Sequence, residues 1–292
     1  GYHTWHGVKH AEVAAIEEAG EQARGATVYV TLEPCSHQGR TGPCTEALIA
    51  AGVSRVVVAM TDPNPQVSGT GLRRLHEAGL IVESDPRHAG EAAALNEAYV
   101  HFMRHGVPLV TVKAAVTLDG KIAAPEDNEG WITSERARAH VQQLRHQSDA
   151  ILTGIGTVLS DDCLMTDRTG LPRSRPLLRI VADSQLRLPV TARLVASCQD
   201  DLLVVTTSAA SPERRRALEN RGVRILTLDG HGGRTNLPRL VEHLARDKYL
   251  SLMVEAGSKL NWAMLESGVA DKIFFYYAPK ILGGAASLPV VG

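Results

Sequence analysis

Apolar positions in the first hundred residues alternate between helical and extended spacing. Ala11, Ala14, Ala15 and Ile16 recur at helical intervals, and that helix is predicted to end near Gly20 or Gly25. The run Thr27-Val28-Tyr29-Val30-Thr31-Leu32 reads as a strand and stops at Pro34. A short helix over 44–51 closes at Gly52. It is followed by a strand over 55–60, a helix ending at Gly79 and a strand over 80–82. A helix over 90–104 ends at His105-Gly106-Val107-Pro108, and glycine then proline is a stop signal. This places a domain boundary between 106 and 107. Beyond it, strands are predicted at 109–115, 150–153, 178–182, 202–206, 223–228, 252–255 and 272–277. Helices are predicted at 134–147, 212–221, 237–247 and 259–267. Alternation of this kind demands a largely parallel sheet with helices packed on it, so both domains, 1–106 and 107–292, are expected to be α/β.

Composition narrows the function classes. A length of 292 residues suits two domains, and 44% hydrophobic with 22% charged residues supports a packed core. Aromatics at 4% leave aliphatic side chains to fill it. A formal net charge of −1 offers no basic field for a polynucleotide, which argues against a nucleic-acid partner. No apolar run approaches the roughly 20 residues of a membrane span. The opening Gly1-Tyr2-His3-Thr4-Trp5-His6 carries no signal-peptide pattern. Cys35, Cys44, Cys163 and Cys198 are too few for a disulfide framework, and the first two stand near acid and histidine residues. That favours metal over disulfide, with the cytoplasm as the expected compartment.

Three segments carry the chemistry: His10-Ala11-Glu12, Glu33-Pro34-Cys35 and Pro43-Cys44. One imidazole and two thiolates suit tetrahedral zinc, and three protein ligands leave a fourth position for water. Glu12 is then the natural acid/base. Residues two apart on a helix point in nearly opposite directions, so His10 and Glu12 can share a site only if His10 precedes the first helical turn. Cys35 is expected in the loop after a strand, and Cys44 at a helix start that stabilises thiolate. Two alternatives stand beside this reading. One is a pair of buried thiols with a core histidine; the other is a closed structural zinc completed by His37, which leaves Glu12 without a role. In the second domain no G-x-G-x-x-G follows a strand. Gly154-Ile155-Gly156-Thr157 follows one, a weak signal. Val254-Glu255-Ala256-Gly257-Ser258 is a strand ending in small residues that opens a helix, suited to gripping a phosphate or simply a βα turn.

These segments resemble the cytidine-deaminase superfamily signature, H-x-E followed by P-C-x-x-C, except that eight residues separate Cys35 from Cys44. The longer string Thr31-Leu32-Glu33-Pro34-Cys35-Ser36-His37-Gln38-Gly39-Arg40-Thr41-Gly42-Pro43-Cys44 resembles the bifunctional riboflavin-biosynthesis deaminase–reductases. Asp62-Pro63-Asn64-Pro65-Gln66-Val67, Gly69, Lys113, Leu118-Asp119-Gly120, Trp131-Ile132-Thr133-Ser134 and Val254-Glu255-Ala256-Gly257 fit the same family, so the likeness runs nearly end to end. It implies a cytidine-deaminase-like three-layer α/β/α domain followed by a dihydrofolate-reductase-like α/β domain. It also implies two reactions on a phosphoribosylamino-pyrimidine, a small molecule: zinc-dependent hydrolytic deamination, then NADPH-dependent reduction of the ribosyl group to ribityl.

By the resemblance, His10, Cys35 and Cys44 hold zinc, Glu12 shuttles the proton, and His37, Arg40 and Thr41 approach the substrate. Ala115, Trp131, Thr157, Asp161 and the loop of Gly257, Ser258, Lys259, Leu260, Asn261, Trp262 and Ala263 line NADPH. Lys113, Glu129, Arg145, Met165, Arg168 and Glu255 contact the reductase substrate, the arginines by their forked donors; a solvated Arg145 is the bland reading. Homo-oligomers are expected of such domains. The family's opening helix, strands and Asn-Pro loop are not among the 292 residues, and its last helix and strand are curtailed after about Gly284. Glu129 stands where a small hydroxyl residue is usual and Cys163 where proline is, which motivates an alternative: a deaminase whose reductase-like domain only binds ligand.

Overall fold

Short valine-rich strands separated by glycine-terminated helices build the first unit. A computed structural model describes residues 9–38, 42–65, 67–124, 131–173 and 175–292. Helix α1 (Ala11–Ala19) leads into strand β1 (Thr27–Val30), helix α2 (Cys44–Ala50), strand β2 (Arg55–Val58), helix α3 (Thr70–Glu77) and strand β3 (Ile81–Ser84). The strands form a parallel sheet in the order β1-β2-β3, Thr27 opposite Arg55 and Arg55 opposite Ile81. Parallel neighbours need a crossover, which α2 and α3 supply. Val56 and Val58 pack with Leu48 of α2 and Leu75 of α3, and all four are shut away from solvent. Gly52 and Gly79, at φ 71° and 87°, terminate those helices in the left-handed region that glycine enters freely.

The helix expected over 90–104 is two: α4 (Ala89–Leu95) and α5 (Glu97–His105). The break is Asn96, at φ −105° and ψ 21°, whose side-chain amide donates to the Ala92 carbonyl at 2.8 Å. A short amide side chain competes there with the helix's own bonding. Strand β1 also stops two residues early, because Glu33 is drawn into the loop ahead of α3.

The second unit runs β4 (Leu109–Thr117), β5 (Lys121–Ala123), α6 (Glu135–Gln147), β6 (Ala150–Gly154), α7 (Ile155–Asp161), β7 (Leu178–Ala182), α8 (Arg193–Ala196) and β8 (Leu202–Thr206). It continues with α9 (Pro212–Glu219), β9 (Arg224–Thr227), α10 (Leu237–Arg246), β10 (Ser251–Glu255), α11 (Ser258–Glu266), β11 (Lys272–Ala278) and β12 (Leu288–Pro289). Seven strands form one sheet, β11-β4-β10-β6-β7-β8-β9, parallel throughout. Val112, Leu152 and Ile180 face Leu240 and Leu244 of α10, while Ile151, Val181 and Val204 pack with Leu194 and Leu218. With both faces covered, the central strands read as continuous apolar runs rather than alternating ones. The short antiparallel pair of β5 and β12 and the helices α7 and α8 are additions to the predicted elements. A further correction concerns 257–263: only Gly257 is loop, and Ser258 already begins α11.

Candidate active sites

The geometric conflict between His10 and Glu12 is resolved at the start of α1. His10 is the N-cap, with extended backbone at φ −70° and ψ 161°, while Glu12 lies in the first helical turn. Cys35 sits in the loop after β1, and Cys44 is the first residue of α2, fully buried. The His10 Nδ1 atom is 3.2 Å from Cys44 Sγ and 3.5 Å from Cys35 Sγ. All three ligand atoms lie within 4.8 Å of one another, the one such His/Cys/Asp/Glu group among the described residues. The Cys44 amide, at the open end of α2, donates to Cys35 Sγ at 3.4 Å.

The two thiols behave as a pair sharing one proton. A hydrogen bond from the Cys44 thiol lowers Cys35 to about 5; burial opposes this, and the Cys44 amide and His10 add to it. Cys44 moves upward because it keeps the shared proton and is buried, and Glu12 lies close enough to reinforce the shift. Two sulfurs and one ring nitrogen converging beside a carboxylate fit, in kind and number, a zinc site with one open position. The donor set therefore suits the metal that the motif implies.

Residues that lie within the motifs but were given no role there hold Cys35 in place. Glu33, 3% exposed, accepts four backbone N–H groups: Asp62 at 3.1 Å, Gly69 at 2.9 Å, Gly71 at 2.8 Å and Leu72 at 3.3 Å. Its carboxylate thus ties the loop before Cys35 to the start of α3. Gly71 makes the approach possible, since a Cβ there would stand 2.0 Å from the Pro34 carbonyl oxygen. Asp62 accepts the Asn64 amide at 2.8 Å and the Tyr99 hydroxyl at 3.0 Å. Nothing in the local spacing marks Glu33 as this hub, because all its partners lie 29 or more positions away. His37 is exposed in the same loop. Arg40 and Thr41, expected at the substrate, lie outside the described residues, as does Glu129 of the second unit.

In the second unit the parallel register sets Lys113 of β4 beside Glu255 of β10. Lys113 Nζ reaches Glu255 Oε1 at 2.9 Å, and Arg145 of α6 reaches Oε2 through Nε at 2.9 Å and Nη2 at 2.8 Å. Arg145 Nη1 donates to the Thr166 carbonyl at 2.9 Å. Its side chain is 12% exposed, so it is not a solvated surface cation, and its fork is committed to the protein. Burial opposes ionisation of Glu255, but the charges of Lys113 and Arg145 outweigh it and hold the carboxyl below the ordinary range. Tyr276 of β11 joins this group although its sequence gave no sign of it. Lys113 Nζ lies 5.8 Å from its ring centre, and its hydroxyl is 2.8 Å from His140 Nδ1. Burial and the nearby Glu255 carboxylate raise that hydroxyl to about 12.

The residues expected around the cofactor fall into three groups. Ala115 is opposite Tyr276 in register, and Trp131 is exposed on the wall of a groove of about 610 Å³ that Tyr276 also lines. Thr157, in the first turn of α7, lies beside Gly257, whose added Cβ would meet its hydroxyl at 3.8 Å; Leu260 packs on Gly154 in the same way. Lys259 and Trp262 are exposed, Ala263 packs against the core, and Asp161 is exposed at the end of α7. Ser258 and Asn261 are buried, donating to the carbonyls of Gly292 at 3.2 Å and Val290 at 3.0 Å, so the chain's last residues take up those side chains. Met165 is 3% exposed at φ 54°, and Arg168 is exposed with its amide bound to Gln142 Oε1 at 3.0 Å.

Comparisons with known proteins match both halves. Residues 2–60 match the family described as the cytidine and deoxycytidylate deaminase zinc-binding region, and residues 108–292 match the RibD C-terminal domain. The riboflavin biosynthesis protein RibD of Escherichia coli is 44% identical over 297 residues, covering 98% of this chain and 79% of that protein. A solved structure of Acinetobacter baumannii RibD superposes with a TM-score of 0.83 at 38% identity, covering 97% of this chain and 77% of the other. A Thermotoga maritima structure, described as a diaminohydroxyphosphoribosylaminopyrimidine deaminase/5-amino-6-(5-phosphoribosylamino)uracil reductase, gives 0.80 at 34% identity, covering 97% and 76%.

Proposed function

The chain belongs to the RibD family of bifunctional riboflavin-biosynthesis deaminase–reductases, and from that premise we propose how its own residues divide the two reactions. Its first domain is a zinc-binding deaminase and its second a reductase that uses NADPH. The substrate is a small molecule, by the family's chemistry a phosphoribosylamino-pyrimidine.

In the deaminase, His10, Cys35 and Cys44 hold the metal. When bound, zinc supplies the Lewis acidity that makes water a nucleophile near neutral pH. Glu12 takes the proton that the water gives up and delivers it to the departing ring amine, the role its place beside both sulfurs allows. His37, Arg40 and Thr41 are assigned to substrate contact. The observation that carries this reading is the convergence of His10 Nδ1 on two sulfurs with Glu12 alongside.

In the reductase, NADPH supplies the hydride, and the protein's work is binding and orientation. Ala115, Trp131, Thr157, Asp161 and residues 257–263 form the cofactor's side of the site, by backbone and exposed side chains where Ser258 and Asn261 are already engaged. Lys113 and Glu255 face the reacting ribosyl group, and Glu129 and Met165 are assigned to the same substrate. Arg145, its donors bound to Glu255 and Thr166, fixes the carboxylate, which leaves Arg168 to meet the substrate's phosphate.

We also place the chain in the cytoplasm as a homo-oligomer. Four free cysteines suit a reducing compartment, and Ile273 and Tyr277 stand exposed on the edge strand β11. Among the described residues no helix is long and apolar enough to cross a membrane. The division of labour is tested by assaying each half-reaction in Glu12→Gln. Ammonia release should vanish while bound zinc and NADPH oxidation with the deaminated intermediate persist; surviving deamination would show that Glu12 is not the proton carrier.

A further inference from the structure

Residues 164–169 are fastened to the rest of the second unit at four points. Arg179 of β7, 2% exposed, donates through Nη1 to the Leu164 carbonyl at 3.1 Å. Helix α6 contributes the bonds of Arg145 to the Thr166 carbonyl and of Gln142 to the Arg168 amide. The fourth is His146, one residue beyond Arg145, whose Nδ1 lies 2.7 Å from Asp167 Oδ2. The side chains of this pair are 22% and 6% exposed. An ionised carboxylate only accepts, so Nδ1 carries the hydrogen. Asp167 Oδ1 accepts the Thr169 amide at 2.9 Å, and the Thr169 hydroxyl lies 3.3 Å from the same ring nitrogen. Asp167 therefore ties the segment that carries Arg168 to α6 through Oδ2 and braces it internally through Oδ1, while Met165 is held at φ 54°, a backbone region that persists only when its surroundings over-determine it.

We propose that His146 and Asp167 are positioning residues of the reductase, setting where Arg168 presents its guanidinium to the substrate's phosphate. This rests on the reading of Arg168 given above. Arg168 is exposed, and where its backbone is held sets the region its long side chain can reach. The pair clamps the residue before it, and Gln142 clamps its own amide. The bonds of His146 to Asp167 and of Asp167 to Thr169 are made away from the Glu255 carboxylate, so their loss should weaken substrate binding and spare the reacting centre. Misplacing a binding group by about 1 Å is enough to lower affinity measurably.

Steady-state reduction is measured with the deaminated intermediate in His146→Ala, Asp167→Ala, the double variant, His146→Asn and Arg168→Ala, with ammonia release as the check on folding. Each single variant should raise KM for the intermediate about fivefold and keep kcat within about twofold. The double variant should be no worse than either single one, because one interaction is lost in all three. His146→Asn, whose amide nitrogen can take the place of Nδ1, should recover most of the affinity. Additive losses, an unchanged KM, or a fall in kcat without a rise in KM overturns the positioning role. If Arg168→Ala raises KM while the His146 and Asp167 variants do not, the positioning idea fails and the reading of Arg168 stands. An unchanged KM in Arg168→Ala overturns both.

Discussion

Adding one methyl group at Gly71 should empty the metal centre without altering a ligand. A Cβ at that position meets the Pro34 carbonyl oxygen at 2.0 Å and Glu33 Oε1 at 3.1 Å. Relieving the first contact takes a displacement of about 1 Å, and since the obstacle is backbone no rotamer change provides it. Pro34 immediately precedes Cys35, and zinc ligand distances tolerate about 0.2 Å, so the displacement exceeds what the site absorbs. Strain of this kind costs about 3 kcal/mol, and the Glu33 bonds to Gly71 and Leu72 are disturbed with it. The matched control is Gly90→Ala. Gly90 lies exposed in α4 with nothing within 4 Å of an added Cβ, so alanine there should gain about 0.5–1 kcal/mol. Zinc per chain after dialysis, the rate of ammonia release and the thermal midpoint are measured for both. Gly71→Ala should hold well under one zinc and deaminate at least about tenfold more slowly, with NADPH-dependent reduction retained; Gly90→Ala should keep full zinc and melt no lower than the parent. A Gly71→Ala protein with a full complement of zinc and parental deamination would refute the steric argument.

Two further outcomes follow from the second unit. Glu255→Gln leaves Lys113 and Arg145 without their shared carboxylate in a mostly buried site, which should cost about 3 kcal/mol of reductase stability and slow NADPH oxidation at least about tenfold, with ammonia release unchanged; parental reduction in this variant would remove Glu255 from the site. Asp119 is held down to about 2 by the Thr117 hydroxyl and by the Gly283 and Leu282 amides, against the opposing effect of burial. A carboxyl depressed in the folded state contributes stability that is present above its unfolded pKa of about 3.9 and is lost as pH falls toward 2. Thermal midpoints of Asp119→Asn should therefore lie below the parent's above pH 4 and converge with them near pH 2; a constant offset across that range would show that the charge is not the cause.

Much of this architecture is written locally. Largely aliphatic runs at 55–58, 178–182 and 202–206 become parallel strands because each is apolar enough to be covered on both faces, and Gly52, Gly79 and Gly106 end helices where a left-handed residue is needed. The histidine and two cysteines were legible as a cluster because metal chemistry restricts which residue types can converge. What escaped reading depends on distant partners. Glu33 is one of 32 acidic residues until the loop before α3 folds over it, and Gly71, whose φ is ordinary, is required by a carbonyl 37 positions away. Tyr276 reaches Lys113 only because β11 lies beside β4, an order that no local pattern specifies. The break at Asn96 was missed for the opposite reason: one short side chain overrode a helical period that was otherwise unbroken.

X-ray absorption at the zinc edge on the purified chain bears most directly on the metal centre. One zinc per chain is expected, with two sulfur neighbours at about 2.3 Å, one imidazole nitrogen near 2.0 Å and one further light atom; Cys44→Ser should lose one of the sulfurs. A metal-free active deaminase, or a zinc shell without sulfur, would contradict the site built on His10, Cys35 and Cys44.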